Sequence, residues 1–342
     1  MDGYSGRMSV ITLTTDFGLD DWFVGALKGA ILACCPTAQT VDLTHGVPPG
    51  NIRAGAFALW AGSDRFPRGT VHLAVVDPGV GGSRPAIAVR TERFTFVGPD
   101  NGLLAWALAR ERVRAIHRLE NTRLFRHPVS ATFHGRDVFA PITAFLACGG
   151  TLRRVGPRVA DYTRLPWPAP VRRPDGVAGE ILYLDRFGNA ITNLDAPSLS
   201  CLDLLAAEVK LPGGRRCPVR EYYGAVPPGQ AVALLGSCGL LEIAIGGGHA
   251  ARQLRLQPGE PVALVAPRSR RRNRHRVGLA AKTRMAAGPT KVLTADLDRD
   301  KYDLSSRYFW AISCKKGQAG FGNAFQTAAV GIPDSLRQNT TA

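Results

Sequence analysis

The sequence predicts a two-part fold: an N-terminal α/β sandwich with a mostly parallel sheet, then a smaller, mainly β C-terminal part. Three observations carry this. Apolar, β-branched runs alternate with helix-period segments in the N-terminal stretch, the pattern of a sheet covered by helices. Prolines at 166, 168, 170 and 174 then break the pattern, because they fit neither a helix interior nor a central strand. Beyond them come short strand-like runs and turns, without long helices.

The first run, Val10-Ile11-Thr12-Leu13-Thr14-Thr15, stops at Asp16-Phe17-Gly18. From Trp22 to Cys35 the spacing of Phe23, Leu27, Ile31 and Leu32 predicts a helix. Thr40–Leu43 reads as a second strand, Ile52–Trp60 as a second helix, and Val71–Val76 as a third strand closed by Asp77-Pro78-Gly79. In open α/β sheets ligands gather at the carboxyl ends of strands, where Asp16 and Asp77 both stand. After the proline-rich stretch, Gly179–Leu184, Ala190–Leu194, Ala231–Leu235 and Leu241–Ile245 read as strands, with Pro227-Pro228-Gly229 as a turn. The expected layout is a short extension at 1–7, an α/β domain at 8–165, a linker at 166–175, a β domain at 176–266 and a basic tail at 267–342.

Composition narrows the function. The chain has 342 residues, 45% hydrophobic and 20% charged, and its 38 glycines and 24 prolines argue against a helix bundle. No charge-free apolar run reaches the roughly 18 residues of a membrane span. The start, Met1-Asp2-Gly3-Tyr4-Ser5-Gly6-Arg7, lacks the basic-then-apolar order of a secretion signal. Seven scattered cysteines show no Cys-x-x-Cys, so neither a zinc site nor a disulfide framework is expected. Vicinal Cys34-Cys35 reads as buried and reduced, and the protein as cytoplasmic. The net charge of +16 is concentrated in the tail, where 15 Lys and Arg face 5 Asp and Glu. A solvated tail explains this surplus, and with no aromatic interleaving it is assigned no nucleic-acid role.

Asp16-Phe17-Gly18 matches the kinase metal-binding triplet, but no glycine-rich phosphate loop or strand lysine precedes it. Gly79-Val80-Gly81-Gly82 lacks the Lys-Ser/Thr of a P-loop, and neither G-x-G-x-x-G opening a helix nor G-x-S-x-G occurs. Polar residues in turns remain. A carboxylate at a strand end, such as Asp16, can accept from both ribose hydroxyls; a helix N-cap, the other reading, suits Asp20 or Asp21 better. Asp77 and Arg84 stand seven apart across a glycine-rich turn, either as a structural ion pair or as part of a site. His134 lies in the turn Thr132-Phe133-His134-Gly135-Arg136-Asp137 before an apolar segment.

Six segments resemble, in family order, the S-adenosyl-L-methionine (SAM) hydroxide adenosyltransferases, relatives of the SAM-dependent fluorinating and chlorinating enzymes. They are Leu13–Gly18, Val76–Gly81, Phe96–Gly102, Thr132–Asp137, Asp185–Asn193 and Gly236–Ala244, within roughly residues 8–260. The resemblance implies an α/β N-domain, a β-barrel-like C-domain and a homotrimer with sites between subunits. It implies that Asp77, Arg84 and His134 form the catalytic set and that Asp16 binds ribose. It also places Asn189 at adenine and Asp185 and Ser237 at the methionine end, with Tyr223 as an aromatic wall. SAM is then the substrate, with no cofactor and no metal expected. Cys238, where the halogenating relatives carry arginine, and Arg186, where histidine is the family pattern, depart from it.

The implied reaction is attack of water-derived hydroxide on the ribose C5′ of SAM, giving adenosine and methionine. A halide nucleophile is the alternative, disfavoured because an ionised Asp77 would repel it; halogenating relatives carry an aromatic residue there. A SAM- or adenosine-binding protein without turnover is the third reading.

Overall fold

The structure is a computed structural model that describes residues 10–200 and 202–266. The expected extension at 1–7, the basic tail, Cys201 and Cys314 lie outside the described residues. The N-terminal half runs β1 (Val10–Thr15), α1 (Phe23–Cys34), β2 (Gln39–Thr44), α2 (Ile52–Ser63), β3 (Val71–Val75), β4 (Ala86–Thr91) and β5 (Thr95–Pro99). It continues through α3 (Ala105–Leu108), β6 (Val113–Arg118), α4 (Ala140–Ala147) and β7 (Arg158–Val159). These strands make one sheet of order β2-β1-β3-β5-β4-β6-β7. Parallel pairing is confined to β2-β1-β3-β5, and the other half is antiparallel. The parallel half presents its carboxyl ends together, which positions the site.

Both faces of this sheet are covered. On one side α1 and α4 pack over Ile11, Leu13, Leu73 and Val97; on the other, α2 and α3 cover Ala74, Val76, Ile87 and Phe96. Strands buried on both faces read as largely apolar runs, as β3 does; its one polar residue, His72, meets Thr12 Oγ1 at 2.7 Å through Nδ1. Asn51 caps α2 by accepting from Ala54 N at 2.9 Å.

The cysteine expectation is corrected. Cys35, fully buried, forms a disulfide with Cys148, 113 residues away, while Cys34 is exposed and free. Both partners cap the carboxyl ends of packed helices, α1 and α4. Only the fold brings those ends together, so residue spacing gave no signal.

The C-terminal half comprises β8 (Val171–Arg173), β9 (Gly176–Leu184), β10 (Ala190–Asp195), β11 (Glu208–Lys210) and β12 (Arg216–Pro218), followed by β13 (Ala231–Leu235), β14 (Leu240–Ile245) and β15 (Pro261–Val265). Part of the proline-rich stretch is thus a strand, since β8 pairs with β9. The sheet runs β12-β11-β15-β9-β10-β14-β13 and is antiparallel throughout. Its two ends approach where Arg220 N donates to Ala233 O at 2.8 Å beside the Val219–Ala233 bridge, giving a nearly closed barrel. Its interior is Val177, Ile181, Val209, Leu241, Ile243 and Leu264 among others. An aromatic seam joins barrel to sandwich: Tyr183 of β9 stacks on Phe57 of α2, with ring centres 4.8 Å apart, and Trp167 contacts Trp60 and Trp106.

Candidate active site

β1 and β3 are adjacent parallel strands, with Thr15 opposite Val75, so the turns after them emerge side by side. Asp16 leaves the end of β1 and accepts from Gly50 N at 2.8 Å through Oδ2. Gly50 itself lies against Pro78, which ties the Asp16 turn to the Asp77 loop. Asp16 is therefore not a helix N-cap; α1 has no side-chain cap.

The loop after β3 folds back as its glycines allow. Gly81 takes φ +77°, and a Cβ there would lie 2.3 Å from Ala131 O, so only glycine lets this loop close on the segment carrying His134. Arg84 Nε then donates to Asp77 Oδ1 and Oδ2 at 2.9 and 3.0 Å, and Nη2 also reaches Oδ2. Arg84 Nη2 contacts His134 Nδ1 at 2.9 Å. Guanidinium has no acceptor, so Nδ1 accepts and the imidazole proton sits on Nε2. Burial, and then the neighbouring Arg84 charge, hold His134 below its ordinary value, which keeps it neutral. The Asp77 and Arg84 side chains are 5% and 13% exposed. The structure thus joins three of the four N-terminal candidates by direct hydrogen bonds, with Asp16 beside them.

The His134 turn has its own anchor, which the sequence reading missed. Asp137 is fully buried and accepts from Arg136 Nε at 2.6 Å, Ser130 N at 2.9 Å and Arg126 Nη1 at 3.2 Å. Burial pushes its carboxyl up, but these donors outweigh that and hold it below the usual range. Phe133 packs edge-on against Phe17 and Phe23 beside it.

A second missed residue is His45, buried at the end of β2. Its Nδ1 meets Thr15 Oγ1 at 2.7 Å, its Nε2 faces Asp42 Oδ1 at 3.1 Å, and its carbonyl accepts from Gly18 N at 2.8 Å. It holds the Asp16 turn from both sides. The rule that pointed to Asp16 and Asp77, a polar residue where a strand ends, would also have found it.

The remaining candidates gather in the barrel half. Asp185 and Asn189 flank the β9–β10 turn: Asp185 Oδ1 accepts from Asn189 N at 2.8 Å and Oδ2 from Asn189 Nδ2 at 2.9 Å. This uses the backbone N–H and one of the two Nδ2 hydrogens of Asn189, and leaves the other hydrogen and the side-chain oxygen Oδ1 without a bond to Asp185. Gly188, at φ +85°, must be glycine because the His249 ring would lie 2.0 Å from a Cβ. Tyr223 donates its hydroxyl to buried Glu242, and its ring stays half-exposed. Burial pushes Glu242 up, with the Asp185 charge adding to it. Ser237 is exposed in the β13–β14 turn, next to Gly236, which lies against the Glu242 carboxylate.

The candidates therefore form two clusters, one on each half. Among the described residues no hydrogen bond or ion pair joins them. A groove of about 880 Å³ between the halves reaches Leu19, His45 and Pro48 on one side and Asp185 and Arg186 on the other, but contains none of Asp16, Asp77, Arg84 and His134. Among the described residues no group of three His, Cys, Asp or Glu side chains is placed to hold a metal, and no helix is long and apolar enough to cross a membrane.

Comparison with known proteins gives a consistent result. The SAM hydroxide adenosyltransferase N-terminal domain matches residues 11–156, and the C-terminal domain of the same family matches 179–263. The chain is 43% identical to the (R)-S-adenosyl-L-methionine hydrolase of Thermus thermophilus, over 75% of this chain and 100% of that one. A fluorinase from an Actinoplanes species is more distant, at 27% identity over 56% of this chain and 73% of its own. An uncharacterized conserved protein from Thermotoga maritima superposes with a TM-score of 0.70 at 37% identity, over 75% of this chain and 99% of that one.

Proposed function

The chain belongs to the SAM hydroxide adenosyltransferase family, and from that membership and the site geometry we propose that it hydrolyses SAM to adenosine and L-methionine. The observation that carries the reading is the Asp77–Arg84–His134 arrangement.

Arg84 has five N–H donors. The Nε hydrogen and the two on Nη2 serve Asp77 and His134, which leaves both Nη1 hydrogens for a water molecule. A fixed guanidinium stabilises the developing hydroxide electrostatically, and Asp77 keeps lone pairs that accept the water proton. His134 is a poor base in this state, since Nδ1 is committed to Arg84 and Nε2 already carries its proton. It serves by fixing the guanidinium plane and offering Nε2–H. The hydroxide lone pair forms the C5′–O bond as the C5′–S pair returns to sulfur, so the sulfonium leaves as neutral thioether without a general acid. Opposite charges neutralise in this step, which exclusion of bulk water favours.

A halide nucleophile fits poorly, because the Asp77 carboxylate would repel an anion. Asp16 is proposed to hold ribose, Asn189 and Tyr223 adenine, and Asp185 and Ser237 the methionine end. Since the two clusters lie on separate halves, we propose a homotrimer in which the barrel half of one subunit completes the site of its neighbour. We propose the cytoplasm as the location, where a bridge between buried Cys35 and half-buried Cys148 is an exception to the usual reduced state of thiols. The test is chromatography of products from SAM, with and without chloride. Adenosine and methionine, unchanged by halide and lost in Arg84→Ala, support the reading. A 5′-halogenated adenosine would replace it with a halogenase, and intact bound SAM with a binding protein.

A further inference from the structure

We propose that the cleft at the β4–β6–β7 edge of the sandwich is a binding site for a polyphosphate anion, separate from the adenosyl site. The cleft has a volume of about 920 Å³ and is lined by Arg90, His117, Gly149, Gly150, Arg153 and Arg158, with small or apolar residues between them and no aspartate or glutamate. Its three named arginines come from different elements: Arg90 from β4, Arg153 from the helical turn Leu152–Arg154 and Arg158 from β7. All three are exposed, and among the described residues none meets a carboxylate. Their neighbours are different. Arg112 and Arg114 pair with Glu92, Arg118 approaches Glu120 and Arg93 pairs with Glu111. Carboxylates are thus present along this edge but absent from the cleft.

Three uncompensated guanidiniums around one concavity repel one another, and a bound anion removes that penalty. Guanidinium presents a planar fork that matches phosphate oxygens two at a time, so three forks suit a chain of phosphoryl groups better than one small anion. No Phe, Tyr or Trp lines the cleft, so it offers no ring on which a nucleobase would stack. This selects the phosphate chain as the recognised element. The wall is anchored as well: Gly149 and Gly150 directly follow Cys148, which the disulfide fixes to α1, and His117 Nδ1 bonds Gly156 O at 2.8 Å. The cleft adjoins the carboxyl end of α4, whereas His134 precedes its amino end.

The experiment uses the full chain and inorganic tripolyphosphate at constant ionic strength, followed by calorimetry and thermal unfolding. Because the tail is also basic, two variants are compared: R90S/R153S/R158S in the cleft and R270S/R271S/R272S in the tail. Tripolyphosphate is expected to bind the parent and the tail variant, and to lose about tenfold or more in affinity in the cleft variant, as charge-assisted contacts disappear. Adenosine formation from SAM is expected to be the same in parent and cleft variant, so failure here is distinguishable from failure of the proposed activity. No binding by the parent, or equal affinity in the cleft variant, would overturn the proposal. Cleft-dependent binding of a single-stranded oligonucleotide but not of tripolyphosphate would replace it with a nucleic-acid surface.

Discussion

Replacing Arg84 with methionine removes the guanidinium that faces Asp77 and separates two roles of the pair. Both side chains are largely buried, at 5% and 13% exposure. A buried carboxylate stripped of its cation costs about 3–5 kcal/mol, and the residual exposure of this pair places the expected loss near the low end, about 3 kcal/mol. Removing both charges, as Asp77→Asn with Arg84→Met, leaves no uncompensated ion, so most of that stability is expected to return. Turnover should not return with it. Loss of a preorganised donor to a developing oxyanion costs about 10²–10³ in kcat, and the double variant lacks both that donor and the proton acceptor. The assay is urea unfolding of parent, singles and double, alongside adenosine formation from SAM. The double variant is expected to unfold near the parent midpoint while staying inactive. Adenosine formation at the parental rate by that variant would refute the argument and leave the pair a loop brace. A parental midpoint in Arg84→Met would refute the burial reasoning.

Further outcomes follow from the same geometry. His134 is held below its ordinary 6.5, so between its folded value and 6.5 the unfolded chain binds a proton that the folded one does not. Its contribution is therefore complete above 6.5 and lost as pH falls through that window; the activity profile is expected to show an acidic limb below 6.5 that His134→Gln abolishes. His45→Ala frees Thr15 and the Asp16 turn, and is expected to raise KM for SAM more than it lowers kcat; equal kcat/KM to the parent would show that the turn needs no such brace. The Cys35–Cys148 bridge closes a 113-residue separation, for which loop entropy gives at most about 4.8 kcal/mol. Cys148→Ser is expected to lower the melting temperature, and denatured, unreduced protein should show at least two fewer reactive thiols than its seven cysteines; seven would contradict the bridge.

Much of this was legible in the chain because it is local. β1, β3 and β13 follow from short runs of β-branched and apolar residues, and α1 from Phe23, Leu27 and Ile31 at helical spacing. Asp16 and Asp77 stood out as candidates because both stop a parallel strand, and Arg84 because seven residues with three glycines can fold back on themselves. What stayed hidden depends on long-range contact. Cys35 and Cys148 meet only when two helix ends meet, and β8 hides among prolines because an edge strand tolerates them. Asp137 and Glu242 lie inside segments that carry the family resemblance, but their anchoring contacts depend on burial, which a single sequence does not display.

The most direct test of the central claim is hydrolysis of SAM in water enriched in oxygen-18, with mass spectrometry of both products. Attack of water at C5′ predicts one heavy oxygen in the 5′-hydroxyl of adenosine and none in methionine, with the signal lost in Arg84→Ala. Unlabelled adenosine, a halogenated nucleoside, or intact SAM would contradict it.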